Sequence, residues 1–231
     1  RYSEVAPNNL VYDRSARVYL AGPEFKPVFI TGNPSRYLND LLATASGLVE
    51  QQASFIGWYP SVATVPAPGR VMSAETLVVL LKAMREGTAL KLVYQSMTSP
   101  EPAERLLSPH ALAHDGFRWH VRAFCHLRQQ FRDFVIARIL SVAGAEAASV
   151  SPEADTEWHT VVRLVLAPHP GLAEGHRRVI ELDYGMEGGE VVLECRQALL
   201  FYLLKHLGLD GKTEARPEAQ QIILKNAEEV A

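Results

Sequence analysis

The stretch DGFRWHVRAFCHLRQQFRDFVIARI, residues 115–139, alternates apolar and basic residues along most of its length. Read as a strand, it puts Phe117, Trp119, Val121, Ala123 and Cys125 on one face and Arg118, His120, Arg122, Phe124 and His126 on the other. The first face suits a core. The second would repel itself if left bare, so it is stable only when well solvated or when it meets an anion. The segment FRDFVIARI (131–139) adds Arg132 and Arg138.

Period two extends outward from this stretch over residues 88–142. ALKLVYQS (89–96), ERLLSPHALA (104–113), FRWHVRAFC (117–125) and FRDFVIARI (131–139) read as four strands joined by short links, the pattern of a small barrel. Tyr94 and Ser96 end the first strand with hydroxyls, and the second contributes Ser108 and His110. An arginine fork matches phosphate oxygens, while Phe124 and Phe134 offer flat surfaces for a base. The plainer alternative is a set of solvated arginines paired with Glu101, Glu104 or Asp133.

Before the strands, MSAETLVVLLKAMREG (72–87) reads as a helix with Ser73 as N-cap, Glu75 in the first turn and Gly87 as terminator. Its apolar stripe is Leu77, Leu80, Leu81 and Met84. Another helix is expected from Ser35 to Ser46. NLVYDRSARVYLAG (9–22) reads as a hairpin around the polar turn Asp13–Arg17, and the Pro-broken run from Gly22 to Pro34 as an extended linker. Residues 143–157, small and acidic, read as a domain linker. Beyond them a strand, a helix (GLAEGHRRVIELDY), a strand (GEVVLECRQ), a helix (ALLFYLLKHLGL) and an ambiguous QIILKNAEEVA form a small α/β unit. Leu199, Leu200, Leu203, Leu204 and Leu207 make a wide stripe, most of it core and the rest available to a second copy.

The chain has 231 residues, 48% hydrophobic and 21% charged, which argues for globular structure rather than disorder. With a formal net charge of -3 it has no general attraction for phosphate, so any nucleic-acid contact needs locally concentrated positive charge. Two cysteines, Cys125 and Cys195, sit in apolar runs and read as buried, reduced thiols of a cytoplasmic protein. No run approaches a membrane span. His110 and His114, then His120 and His126, lack ligand geometry on strands, so no metal and no cofactor are expected. Ser108 and His110 have no acid partner, so no reaction is expected either. The three tryptophans, Trp58, Trp119 and Trp158, read as core or interface anchors.

Together these motifs resemble a WYL domain: WHV at 119–121 stands where the family has its Trp-Tyr-Leu run, flanked by the strand ending in Tyr94, by SPHAL (108–112), RAFCHLR (122–128) and FRDFVIARI. Upstream, NNLVYDRSARVYLAGPEFKPVF resembles the wing and exit of a winged helix. The layout over most of the chain is similar to the BrxR or CapW transcriptional repressors that accompany bacterial anti-phage systems. The resemblance implies an α+β chain: a remnant of a winged helix-turn-helix (1–22), linker and helices (23–87), an Sm-like, SH3-type WYL β-barrel (88–142) and a C-terminal α/β dimerisation unit (158–231). It implies a homodimer whose barrel binds a nucleotide or nucleic-acid-derived anion through His110, His120, Arg122, Arg132 and Arg138, with Tyr94 and Ser96. His120 and Val121 depart from the family's Tyr and Leu. Operator DNA would meet Arg14, Ser15 and Arg17 at the wing tip and Arg1 at the end of the recognition helix. Since RYSEVAP reads as the end of a helix, most of the N-terminal module is expected to be missing. The competing reading is an Sm-like single-strand-binding module with no switching role. On the sensor reading, replacing Arg122 and Arg138 by alanine should abolish ligand response and leave folding intact.

Overall fold

A computed structural model of the chain describes residues 2–28, 34–54, 56, 58–65, 71–146, 150–210, 216–217 and 219–230. They belong to two compact units, 1–68 and 69–231.

In the first unit a short helix α1 (Tyr2–Val5) precedes a hairpin of β1 (Leu10–Asp13) and β2 (Val18–Ala21), paired from Asp13↔Val18 to Leu10↔Ala21. The turn is built by its first residue: Asp13 Oδ1 accepts the amides of Ser15 at 2.8 Å and Ala16 at 3.0 Å. This local bond is why aspartate favours such positions. Arg17 completes the reversal with φ 54°. At the hairpin base the buried Asn9 side chain accepts the Lys26 amide at 3.1 Å and donates to the Tyr2 hydroxyl at 2.9 Å. Helix α2 (Pro34–Ala45) follows, with Leu41 as its buried residue. Trp58 is 74% exposed, so it is not a core anchor.

The second unit begins with α3 (Ala74–Glu86), capped as the sequence predicts. Ser73 Oγ accepts the Thr76 amide at 3.2 Å, and Gly87 ends the helix in the left-handed region at φ 63°. Its buried face is Thr76, Leu80 and Ala83, while Leu81 is 47% exposed, so the stripe is rotated from the expected one. Strands β3 (Ala89–Tyr94), β4 (Ala103–His114), β5 (Trp119–Cys125), β6 (Gln130–Val135) and β7 (Ile139–Glu146) form an antiparallel sheet of order β6-β5-β4-β3-β7.

Consecutive strands β6 and β7 are therefore opposite edges of one sheet, joined only by a 3-10 turn, Ile136–Arg138. So short a link spans on the order of 10–14 Å, which forces the sheet to curl. The edges are pinned there by the Val135 amide donating to the Tyr94 hydroxyl at 3.2 Å and the Gln95 amide donating to Arg138 O at 3.0 Å. A bulge between Pro109 and Ala111 helps β4 bend, at a residue that has no N–H to offer a ladder. No ladder joins β6 to β7 among the described residues, so the closed barrel expected from the sequence is not found; the sheet is curled and open. Its concave side holds the core, with Leu80, Leu90, Leu92, Tyr94, Leu107, Val121, Ala123, Cys125 and Phe134 buried. Strand β7 runs into the segment expected to be linker. Its small residues and largely exposed positions gave little alternation to read.

A single helical turn α4 (Thr156–His159), N-capped by Asp155, leads into a three-stranded antiparallel sheet of order β10-β8-β9. Strand β8 (Val161–Pro168), α5 (Glu174–Tyr184), β9 (Val191–Arg196), α6 (Leu200–His206), β10 (Ile222–Leu224) and α7 (Ala227–Val230) complete the unit. Its core is Leu166, Ile180 and Ile222. QIILKNAEEVA thus resolves into a strand and then a helix. The five stripe leucines are all half-buried, and so is Cys195. Trp119 is 49% exposed, whereas Trp158 is half-buried beneath the Arg196 guanidinium, 4.7 Å from its ring centre. No described helix is long and apolar enough to cross a membrane.

Candidate functional site

Register decides which basic residues meet. Across β5 and β6, Ala123 faces Arg132 while Arg122 faces Asp133. Directly opposed residues share a face, so Arg132 projects on the concave side with Ala123 and Val121, and Arg122 and His120 project on the other. The single cationic face expected from the sequence is divided in two.

On the concave side Tyr94, Ser96, Arg132 and Arg138 gather at a cup of about 210 Å³, and Arg105, Arg128 and Thr98 join them. The cup lies where the two sheet edges approach. Arg105 stands opposite Leu92 on β4, at the rim end of a core-facing row. Arg128 sits in the β5–β6 turn, and Arg138 ends the 3-10 turn. None of the four arginines forms an ion pair among the described residues, although Arg105 Nη1 donates to Glu104 O at 2.8 Å. Ser96 Oγ and Thr98 Oγ1 are 2.9 Å apart and add hydroxyls. Phe134 and Cys125 form an apolar floor, with Phe134 edge-on to Tyr94 at 5.2 Å. The one carboxylate in the lining, Asp133, is engaged by Arg122 and the Tyr202 hydroxyl, so the four guanidinium groups leave a surplus of positive charge that suits an anion with several oxygens. Sequence reasoning missed Arg105 and Arg128. The parity of ERLL could have placed Arg105 on the core-facing row, but the turn arginine carried no such signal.

The convex side is already neutralised. Arg122 is 3% exposed; its Nε and Nη2 reach Asp155 Oδ2 and Oδ1 at 2.7 and 2.9 Å, a bidentate pair. Nη2 also donates to Glu157 Oε2 at 2.7 Å, and Nη1 lies 3.5 Å from Asp133 Oδ1. His110 Nε2 donates to Asp155 Oδ2 at 2.9 Å, and the Tyr202 hydroxyl donates to Asp133 Oδ2 at 3.2 Å. A second cluster is centred on Asp115, which accepts the amides of Phe117 and Arg118, Arg118 Nε at 3.0 Å and His120 Nε2 at 2.9 Å. His120 is 2% exposed and its Nδ1 has no hydrogen-bond partner. These residues fasten the sheet to the segment 155–157 and to α6. Phe124 packs edge-on against Phe131 at 5.2 Å rather than standing open for a base.

The electrostatics follow from this burial. Burial pushes the Asp155 and Asp115 carboxyls up, but the bonds from Arg122 and His110, and from His120, Arg118 and two amides, outweigh it and hold both below the usual range. Burial lowers His110 below 6.5 despite its bond to Asp155, and raises Asp133 above 3.8 despite Arg122. A lowered histidine loses stability as pH falls below 6.5, because the unfolded chain takes the proton first. The two lowered carboxyls contribute fully above 3.8 and lose that contribution as pH falls through their folded values, with Asp133 offsetting part of it. The thermal midpoint should therefore fall gradually below about pH 6.5 and most steeply below about pH 4. A midpoint flat from neutrality to about pH 3 would contradict this assignment.

At the other candidate surface, Arg14, Ser15 and Arg17 are all exposed on the β1–β2 turn. Arg1 lies outside the described residues. No cluster of three metal-ligating side chains occurs among the described residues.

Three family models match the chain: a BrxR transcriptional regulator winged helix-turn-helix domain over residues 1–43, a WYL domain over 75–143 and a BrxR transcriptional regulator C-terminal dimerization domain over 161–230. The first match gives no support to the expectation that most of the N-terminal module is missing. The chain is 48% identical over 231 residues to a DNA-binding transcriptional repressor CapW of Stenotrophomonas maltophilia, covering 99% of this chain and 77% of that protein. It is 47% identical to the Pseudomonas aeruginosa repressor of the same name and 44% identical to one from Escherichia coli, in each case over 230 residues, with 99% of this chain and 77% of the relative covered.

Proposed function

The chain belongs to the CapW family of DNA-binding transcriptional repressors, and from that premise we propose that it is a dimeric repressor whose WYL sheet senses a phosphate-bearing, nucleic-acid-derived ligand. The observation that carries the sensing is the cup of four arginines with no ion-pair partner, beside Ser96, Thr98 and Tyr94. Operator contact falls to the β1–β2 turn, where Arg14 and Arg17 are free to reach phosphate or a minor groove. The C-terminal unit joins two copies, which suits a two-fold operator. The operon under control would, on the family's pattern, be one for phage defence. Ligand in the cup changes operator affinity only by binding more tightly to one arrangement of the dimer than to the other.

Fluorescence anisotropy with the DNA upstream of the gene tests this, run as a salt series with and without a panel of di- and trinucleotides. Operator affinity should shift with at least one of them; affinity indifferent to all would end the sensing proposal. In the same assay, Arg14→Ala with Arg17→Ala should weaken DNA binding about tenfold and flatten the salt slope by about 2. An unchanged slope would remove the wing from the DNA contact.

A further inference from the structure

A second cavity, of about 410 Å³, lies between the β4–β5 turn and α6, lined by Phe117, Arg118, Phe201, Tyr202, Lys205 and His206 over Asp115. Its lining shares no residue with the arginine cup, although the Tyr202 hydroxyl of the cleft donates at 3.2 Å to Asp133, which also lines the cup.

Its walls are held in place. Asp115 ties down the turn through two backbone amides, Arg118 and His120. Gly116 takes φ +89°, and a Cβ there would lie 2.3 Å from His206 Cε1, so turn and helix meet with no room for a side chain. The Phe117 ring stacks on His206 at 4.8 Å and 11°. Phe117 and Phe201 are nevertheless 61% exposed each, an uncommon cost for two phenylalanines lining one cleft. Lys205 has no carboxylate partner among the described residues, and its Nζ lies 5.8 Å from the Phe201 ring centre. Arg118 gives Nε to Asp115, which leaves its terminal nitrogens for a further acceptor. The one carboxylate in the lining, Asp115, is matched by Arg118 and His120. The cleft therefore offers aromatic faces together with surplus positive charge, in a volume suited to a small molecule.

We propose that this cleft is a second ligand site, which takes a nucleoside monophosphate with its base against Phe117 and Phe201 and its phosphate against Lys205 and Arg118. Stacking makes the aromatic part tolerant of base identity, while the charge demands the phosphate.

Calorimetry of the full chain with the four ribonucleoside 5′-monophosphates tests this, with inorganic phosphate and the free nucleosides as controls. At least one nucleotide should bind, more tightly than phosphate or nucleoside. Lys205→Glu and Phe201→Ala, both at exposed positions, should each weaken it about tenfold or more. Arg132→Ala with Arg138→Ala, which removes any binding to the cup, should leave the binding that depends on Lys205 unchanged. Absence of heat from all four nucleotides would overturn the site, as would wild-type affinity in Lys205→Glu. Loss of binding in the cup variant would also overturn it, since the nucleotide would then belong to the cup and the sensing proposal would stand. A Phe201→Ala variant that loses self-association but keeps nucleotide affinity would assign the cleft to a second copy of the chain instead.

Discussion

Replacing Arg122 with alanine lowers the stability of the sheet-bearing unit by about 3–5 kcal/mol. The reason is what remains behind. Asp155 is 1% exposed and would lose two charge-assisted bonds at once, keeping only His110, the Trp158 amide and a hydrophobic surround. Its neighbour Asp133 would lose its ion pair with Arg122. An uncompensated buried carboxylate costs far more than the pair gains, so the size of the effect reflects the orphan. Arg122→Lys should fall between wild type and alanine, because an ammonium cannot span Asp155 bidentately and also reach Glu157. Arg122→Met combined with Asp155→Leu should recover most of the loss, since it removes both charges and keeps volume. Urea midpoints of the four proteins measure this. An Arg122→Ala midpoint equal to wild type would mean that the cluster is not formed in solution. The same burial corrects the reading of Arg122 as a ligand contact whose removal spares the fold: loss of ligand response in such a variant would report unfolding.

Why the sequence suggested one basic face where the structure builds two follows from a property of strands. Alternation within a strand is visible in the sequence, and it assigned Val121, Ala123 and Cys125 to the core correctly. Alternation between strands depends on register, and register is set by the turn. Residues 126–129 form a four-residue turn with Gln129 at φ 54°, pairing Cys125 with Gln130. A turn one residue shorter would have put Arg132 opposite Arg122. The caps of α3 were legible because Ser73 and Gly87 act locally. The partners of Arg122 were not, since Asp155 and Glu157 lie more than thirty positions away in a segment with no periodicity. His110 and His120 read as candidate cations, but both side chains are buried and each gives its Nε2 to a carboxylate, Asp155 and Asp115.

Removing two of the cup arginines has the opposite character. Arg132→Ala with Arg138→Ala should leave the unfolding midpoint unchanged or slightly raised, because neither residue has an ion pair to lose and both repel Arg105 and Arg128. Ligand affinity should instead fall by a factor of about 10²–10⁴, since a hydrogen bond to a charged group is worth about 1.5–3 kcal/mol net and two such anchors disappear. The cup's volume of about 210 Å³ adds a constraint on what binds. It accommodates a phosphate and part of a sugar, with the remainder of the molecule outside. Affinity should therefore depend on a terminal or cyclic phosphate and change little with chain length. A generic single-strand binder behaves differently, gaining affinity with each added nucleotide and showing a salt slope that grows in step. Titrating 5′-phosphorylated oligonucleotides of two, four and eight residues, with their unphosphorylated counterparts, separates the two. Affinity that climbs with length, ignores the terminal phosphate and survives the double substitution would transfer the site from the cup to an extended surface.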